Sequence, residues 1–191
     1  GPLDPYGFLE FNGSLYFSAN GPSGRELWKS DGTAAGTMVV KDIYPGPISS
    51  NPHPVGIAGG KLFISTGIGL YITDGTEAGT LSLQTPSGSY RGGASIGDLF
   101  MFRFKDAIHG DELWKTDGTQ AGTVIVQDIN PGAQDSSPGS LVSYDGKAYF
   151  PATDADHGRE LWVTDGTESG THRVKDICLG AADSSPYQLT V

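Results

Sequence analysis

The chain has 191 residues and a formal net charge of −10 at pH 7, with 12 lysine and arginine residues scattered singly. Nucleic-acid binding needs clustered basic side chains, so this balance disfavours a nucleic-acid partner, and no segment approaches the ~18 apolar residues of a membrane span. The 29 glycines and 12 prolines require many turns and favour an all-β fold over long helices.

The first predicted strand, Phe8–Phe11, is followed by Asn12-Gly13 and a second strand, Ser14–Ser18. Asn-Gly between β-forming residues is a strong signal for a two-residue hairpin, and Asp145-Gly146 predicts the same turn later in the chain. A third strand is predicted at Glu26–Trp28. An Asp-Gly-Thr turn then leads to a fourth strand, Met38–Ile43, and to a loop rich in proline, glycine and serine.

The same order of strands recurs along the chain. The aspartates of the Asp-Gly-Thr turns are spaced 43, 43 and 48 residues apart, which is typical of β-propeller blades. They are Asp31, Asp74, Asp117 and Asp165. We predict a single repeat domain over 1–191, with repeats at about 5–53, 54–92, 93–137 and 138–185. Residues 186–191 match the start of a further first strand.

These repeats predict an all-β fold, a β-propeller built from about four blades, each a four-stranded antiparallel sheet. A sheet of short strands with two apolar faces is not stable alone, and packing against neighbouring sheets covers both faces. The aromatic residues at equivalent third-strand positions are expected to pack between blades, with ligand stacking as the alternative. They are Trp28, Tyr71, Trp114 and Trp162.

The pattern Glu-Leu-Trp-x-[Ser/Thr]-Asp-Gly-Thr-x-x-Gly-Thr resembles the ELWxxDGT repeat, and the resemblance covers essentially the whole chain. That repeat occurs in tandem in large, mostly bacterial, secreted or surface proteins, so the resemblance implies an extracellular or cell-surface location. It implies no general activity. Repeat two departs from it, with Gly69-Leu70-Tyr71 in place of Glu-Leu-Trp and a short preceding loop, Ser65 to Gly69. The Asp-Gly-Thr turn is also similar to the Asp-box hairpin of sialidase-like propellers, where it is structural.

Sequence motifs for catalysis are weak. Gly93-Ala94-Ser95-Ile96-Gly97 matches a nucleophile-elbow pattern but falls on a predicted first strand with no helix after it, so we expect no catalytic residues. The arginines could supply a carboxylate clamp, but their spacing does not support one; they are Arg25, Arg91, Arg103, Arg159 and Arg173. The single cysteine, Cys178, permits no internal disulfide and is expected to be a small packed apolar group.

Candidate ligand-binding residues lie in the loops before Glu-Leu-Trp. Repeat three has Asp106 and His109, and repeat four has Asp154, Asp156 and His157. Two carboxylates two residues apart suit Ca²⁺, although an EF-hand pattern is missing and turn capping by aspartate is favoured. The histidines have an alternative role, packing over the adjacent tryptophans to close the loop. No other cofactor is expected.

Together these features predict a non-catalytic interaction or scaffold module of a secreted or cell-surface protein, which presents blade loops to a protein or glycan partner. A Ca²⁺-dependent, carbohydrate-binding lectin is the sharper alternative, and a glycosidase- or lyase-type propeller enzyme is the less favoured one. The partial fifth repeat leaves open a homodimer or a longer propeller array. Binding residues are found disproportionately on variable loops held by a rigid scaffold, which directs attention to repeats three and four.

Overall fold

The computed structural model describes residues 4–67, 69–86 and 88–190. This part of the chain forms sixteen β-strands in four antiparallel four-stranded sheets, numbered 1 to 4 in chain order. It contains no helix, and hence none that is long and apolar enough to cross a membrane. The chain divides into two compact units, residues 1–84 and 85–191, and each unit holds two of the sheets.

Unit 1 contains sheets 1 and 2, each with its strands in sequence order. Sheet 1 consists of β1 (Tyr6–Phe11), β2 (Ser14–Gly21), β3 (Gly24–Ser30) and β4 (Met38–Lys41). Sheet 2 consists of β5 (His53–Ala58), β6 (Lys61–Thr66), β7 (Gly69–Thr73) and β8 (Leu81–Ser82).

Unit 2 contains sheets 3 and 4 with the same order. Sheet 3 consists of β9 (Gly88–Ile96), β10 (Leu99–Asp106), β11 (Gly110–Thr116) and β12 (Val124–Gln127). Sheet 4 consists of β13 (Val142–Tyr144), β14 (Lys147–Asp154), β15 (Gly158–Thr164) and β16 (His172–Lys175).

The two hairpins predicted from Asn-Gly and Asp-Gly are confirmed. Phe11 pairs with Ser14 across Asn12 and Gly13, whose φ angles are 50° and 73°. Asp145 and Gly146 have φ angles of 49° and 71° between paired strands. Two successive residues with positive φ define the type I′ turn that matches the twist of a hairpin.

The third sheet begins earlier than the repeat boundary expected at residue 93. β9 starts at Gly88 and pairs with β10 along its length, with a register shift near Arg103. The segment from Gly88 to Gly93 has almost no alternation of apolar and polar residues, so its sequence does not read as a strand. It is held instead by tight packing: a Cβ at Gly88 or Gly93 would collide with backbone and phenylalanine rings of β10.

Each sheet has two different apolar faces because side chains alternate along a strand. We call the face that carries the leucine of Glu-Leu-Trp, or Leu70 in sheet 2, the leucine face. The opposite one, which carries the tryptophan, or Tyr71 in sheet 2, is the aromatic face.

In unit 1 the leucine face of sheet 1 packs against the aromatic face of sheet 2. The buried cluster comprises Phe11, Tyr16, Leu27 and Val40 from sheet 1 with Leu62 and Ile64 from sheet 2, and the partly buried Tyr71 packs against it. In unit 2 the leucine face of sheet 3 packs in the same way against the aromatic face of sheet 4. That cluster includes Met101, Leu113, Val126 and Ile129 from the sheet 3 repeat and Ala148, Phe150 and Trp162 from sheet 4.

Candidate functional site

The Asp-Gly-Thr turns close by hydrogen bonds within themselves. In sheet 2, Asp74 Oδ1 accepts from the Thr76 backbone N–H at 2.8 Å and from its hydroxyl at 2.7 Å. The Thr76 hydroxyl oxygen accepts in turn from the Gly79 N–H at 2.9 Å. A Cβ at Gly79 would collide with the Asp74 carboxylate, which explains the second glycine of the motif. Equivalent bonds occur at Asp31, Asp117 and Asp165.

The turn carboxylates are exposed but engaged. The threonine hydroxyl and backbone N–H lower the pKa of Asp31, Asp74 and Asp165 below the ordinary aspartate value. Closure of the turn therefore accounts for the Asp, Thr and second Gly in place, as the structural interpretation of the motif expects.

The glutamate of Glu-Leu-Trp has a role that its sequence position did not reveal. Glu112 is fully buried and accepts hydrogen bonds from the backbone of Ile129, Asn130 and Ser136 at 3.1–3.2 Å and from the Ser136 hydroxyl at 2.6 Å. It thus ties the loop after β12 to β11. Glu26 and Glu160 hold their loops in the same way.

The charge environment of these glutamates differs between sheets 3 and 4. Burial raises the pKa of Glu112 to about 7, although its four donors act in the opposite direction. For Glu160 burial also acts to raise the pKa, but bonds from Ser184, Ile177 and Cys178 outweigh it and leave the pKa below the ordinary value. The same constellation is therefore electrostatically different in the two sheets.

The loop before Glu-Leu-Trp in sheet 3 closes on itself. Asp106 Oδ1 accepts from the backbone N–H groups of Ile108 and His109 at 2.7 Å, and Oδ2 lies 3.0 Å from His109 Nδ1. The His109 ring also meets Trp114 edge-on, with centroids 6.2 Å apart. These contacts are those of the loop-closing alternative. Ligand binding by Asp106 and His109 remains a prediction.

The matching loop in sheet 4 has the same closure and one additional partner. Asp154 accepts from the backbone of Asp156 and His157, lies 3.2 Å from His157 Nδ1, and pairs with Arg173 Nη1 at 2.9 Å. An arginine on Asp154 competes with a cation for that carboxylate. Among the described residues no group of three or more His, Cys, Asp or Glu side chains could hold a metal ion.

The shortened loop of sheet 2, Ser65 to Gly69, is described except for Ile68. Thr66 donates its hydroxyl proton to the Gly69 carbonyl at 3.1 Å. The expectation that this loop contributes least to binding depends partly on Ile68, which lies outside the described residues. The final residue of the expected extra strand, Val191, lies outside them as well, and residues 186–190 form no strand.

Three arginines that the sequence left unconnected approach one another in unit 2. Arg103 makes a two-pronged ion pair with Asp111, whose side chain is 2% exposed, and Arg91 Nε lies 3.7 Å from the same carboxylate. Arg91 and Arg103 line a cavity of about 430 Å³ with residues 92–93 and 138–141. We call this cavity the arginine pocket.

Arg159 lies at the margin of the arginine pocket. Its Nη1 donates to the Ser137 carbonyl at 2.8 Å, and its Nη2 lies next to Gly139, which lines the pocket. Burial and then the positive charge of Arg103 lower the pKa of Arg159. No carboxylate forms an ion pair with Arg159 within the described part of the chain. The pocket region therefore holds two guanidinium groups, Arg91 and Arg103, on one buried carboxylate, and a third, Arg159, at its margin.

Two other residues singled out from the sequence have clear positions. Ser95 lies within β9 and pairs with Phe100, so the GxSxG match lies in a strand and not in a strand-to-helix turn. Cys178 is exposed, and the expectation that it packs as an apolar group is wrong. Its neighbour Ile177 is 55% exposed for the same reason, because both belong to the uncovered end of sheet 4.

Comparison with known proteins gives similarity in structure only. No protein-family model matches the chain, and no curated protein matches it. A mutant of puromycin hydrolase complexed with PGG has a TM-score of 0.57 and 17% identity, over 91% of this chain and 28% of that one. A second structure, of puromycin hydrolase, has a TM-score of 0.55 and 17% identity, over 92% of this chain and 28% of that one. Pyrococcus horikoshii acylaminoacyl peptidase has 0.53 and 11%, over 89% and 27%.

The chain spans less than a third of the length of these proteins, and the similarity defines the fold. Their similar parts are β-propeller domains, and the four antiparallel four-stranded sheets described above are propeller blades. The chain is therefore an all-β protein of the β-propeller class, as its repeats predict.

Proposed function

We propose that this chain is a non-catalytic interaction module of the ELWxxDGT-repeat type, which binds an acidic group of a protein or glycan partner outside the cell. The observation that carries the proposal is the arginine pocket. Guanidinium groups bind carboxylates and sulfates through paired charge-assisted hydrogen bonds.

The residues of the pocket differ from those at equivalent positions in the other repeats. Arg103 corresponds to Ser18 in sheet 1 and to Pro151 in sheet 4, judged by pairing with the leucine of the third strand. Residues shared by the repeats are occupied in closing turns and fastening loops. A residue set that departs from the repeat on a rigid scaffold is a more specific place for recognition.

Charge supports an acidic ligand. The chain carries a formal charge of −10, yet Arg91 and Arg103 share one buried carboxylate, Asp111, and Arg159 lies at the margin of the same pocket. The Arg91 side chain is 48% exposed and so remains available to a ligand. The proposal is non-catalytic because Ser95, the serine of the GxSxG match, lies within β9 and not at a strand-to-helix turn.

A glycan array tests the proposal. It compares uronate-containing and sulfated glycans with their neutral counterparts, with and without Ca²⁺. We expect binding of acidic glycans that does not depend on Ca²⁺, and Arg91→Gln should weaken it by about tenfold, the effect of one charge-assisted hydrogen bond. Arg173→Gln is the matched control, since it removes an arginine of the same unit outside the pocket and should leave binding unchanged.

The competing hypotheses predict different results. Binding that requires Ca²⁺ and is lost when Asp154, Asp156 and His157 are replaced together by alanine would support the Ca²⁺-dependent lectin. Binding that is indifferent to Arg91→Gln would rule out the arginine pocket. Hydrolysis or elimination products from a bound glycan would instead support a propeller enzyme.

A further inference from the structure

The two interfaces between sheets follow one rule. In unit 1 and again in unit 2, the leucine face of the earlier sheet covers the aromatic face of the later sheet. The contributing positions are equivalent by sequence: Leu27 matches Leu113 on one side, and Ile64 matches Phe150 on the other. The leucine faces of sheets 1 and 3 and the aromatic faces of sheets 2 and 4 are therefore the two halves of one kind of interface.

The leucine face of sheet 4 carries the same leucine, valine and isoleucine on its third strand, fourth strand and following loop, but it is open. Val126 and Ile129 of the sheet 3 repeat are each 5% exposed, whereas their counterparts Val174 and Ile177 are 48% and 55% exposed. The face forms a groove of about 530 Å³ lined by Val142, Tyr144, Tyr149, Leu161, Leu189 and Thr190. A groove lined this way is apolar surface that a stable monomer ordinarily covers.

The aromatic face of sheet 1 is open as well. Leu15 is 40% exposed, whereas its counterparts Leu62 in sheet 2 and Ala148 in sheet 4 are fully buried. Phe8 is 55% exposed, and its ring lies 5.4 Å from that of Phe17 on the same face. Phe17 itself is 9% exposed, whereas its counterparts Ile64 in sheet 2 and Phe150 in sheet 4 are fully buried in the interfaces between sheets.

We propose that the aromatic face of sheet 1 docks onto the leucine face of sheet 4 of a second copy of this chain, head to tail. A second copy is the partner because each of the two open faces is of the kind that covers the other. An interface between a leucine face and an aromatic face is already buried twice within the molecule. The interface joins two different surfaces, so it builds either closed rings, of which a ring of two chains is the smallest, or open chains.

Two variants, each blocked on one face, test this arrangement. Phe8→Asp with Leu15→Asp places charge on the aromatic face of sheet 1, and Val174→Asp with Ile177→Asp places charge on the leucine face of sheet 4. All four side chains are at least 40% exposed, so both variants should fold, which circular dichroism checks. Sedimentation velocity then gives the mass of each protein alone and of the two mixed.

The unmodified protein should show a mass that rises with concentration above the 20.0 kDa of one chain. Either variant alone should stay monomeric, because every head-to-tail contact needs one face of each kind. Mixed in equal amounts, the variants should give a species of twice the chain mass and nothing larger, since each supplies the one intact face that the other lacks.

Ile108→Asp is the control, because Ile108 is 70% exposed in a loop that belongs to neither face, and self-association should be unchanged. A protein that remains monomeric at millimolar concentration would overturn the proposal. So would a chain in which the aromatic face of sheet 1 docks onto the leucine face of its own sheet 4. Self-association of either variant alone, or a mixture that gives no heterodimer, would overturn it equally. None of these substitutions touches the arginine pocket, so the outcome is independent of the proposed ligand.

Discussion

The leucine faces of sheets 3 and 4 share a leucine, a valine and an isoleucine at equivalent positions, and these residues have opposite environments. Leu113, Val126 and Ile129 are buried beneath the aromatic face of sheet 4, whereas Val174 and Ile177 are about half exposed at the end of the same unit. The environment of a position in a repeat is therefore set by the neighbouring sheet as much as by the residue itself. In such an array, stability is a sum of repeat and interface contributions.

The largest expected change in the free energy of unfolding is at Trp162, and it should exceed that at the equivalent Trp28. Trp162 is 7% exposed within the interface between sheets 3 and 4, whereas Trp28 lies partly exposed on the open face of sheet 1. Trp162→Ala should lower the free energy of unfolding by about 4 kcal/mol, because it leaves a cavity in the interface. Trp28→Ala should cost less than half as much.

Urea denaturation followed by circular dichroism measures both tryptophan variants. Each unit has its own core, so the unfolding transition of unit 1 is used for Trp28→Ala and that of unit 2 for Trp162→Ala. Equal losses for Trp162→Ala and Trp28→Ala would show that the open face is covered in solution, which would point to self-association at the protein concentration used.

The next effect concerns pH and the buried glutamates. Glu112 has a folded-state pKa of about 7, above its ordinary value, so the folded protein retains the proton after the unfolded chain has lost it. The free energy of unfolding should therefore fall by about 3 kcal/mol as pH rises from about 4.5 to 7, and then level off. Urea denaturation over this pH range measures the slope, and Glu112→Gln should abolish it.

Glu160→Gln is the counterpart of that experiment in sheet 4. The folded-state pKa of Glu160 is lowered, so its contribution is present at neutral pH and is lost as pH falls below the ordinary glutamate value. A slope of the same sign for both glutamates would contradict the opposite directions in which their pKa values are shifted.

The smallest effect should be the same at both ends of the chain. Asp31→Ala in sheet 1 and Asp165→Ala in sheet 4 each remove a turn carboxylate bonded to a threonine two residues ahead. Since this turn is local, each substitution should lower Tm by a few degrees at most, and by similar amounts. Thermal unfolding at neutral pH measures the shifts, and a large difference between them would mean that neighbouring sheets influence the turns too.

Features determined by neighbouring residues in the chain were predictable from the sequence. The Asn12-Gly13 hairpin, the recurrence of four strands and the all-β architecture follow from turn residues and from a repeat that is visible by alignment alone. The start of β9 was not, because Gly88 to Gly93 has no strand pattern and is held by packing against β10. The exposure of Cys178 depends on the uncovered end of sheet 4, which residue type does not reveal.

The arginine pocket was missed because it is made by contacts across strands. One signal was available: Arg25 and Arg159 occupy equivalent positions, and repeat three has Asp111 there instead. A reversal of charge at one repeat position calls for a compensating partner, and Arg103 on the neighbouring strand supplies it. The proximity of Arg91 and Arg159 depends on the bend of β9 and on the segment before sheet 4, neither of which the repeat specifies.

Glu-Leu-Trp places two large apolar side chains next to each other in sequence and on opposite sides of the sheet. A gene segment that encodes one repeat therefore encodes both surfaces of the interface between neighbouring sheets. Duplication of such a segment yields a second repeat whose aromatic face can pack against the leucine face of the first. Lengthening or shortening the array by whole repeats should be far easier for evolution than altering one repeat in isolation, because a change to either side chain must suit every neighbour of the same kind.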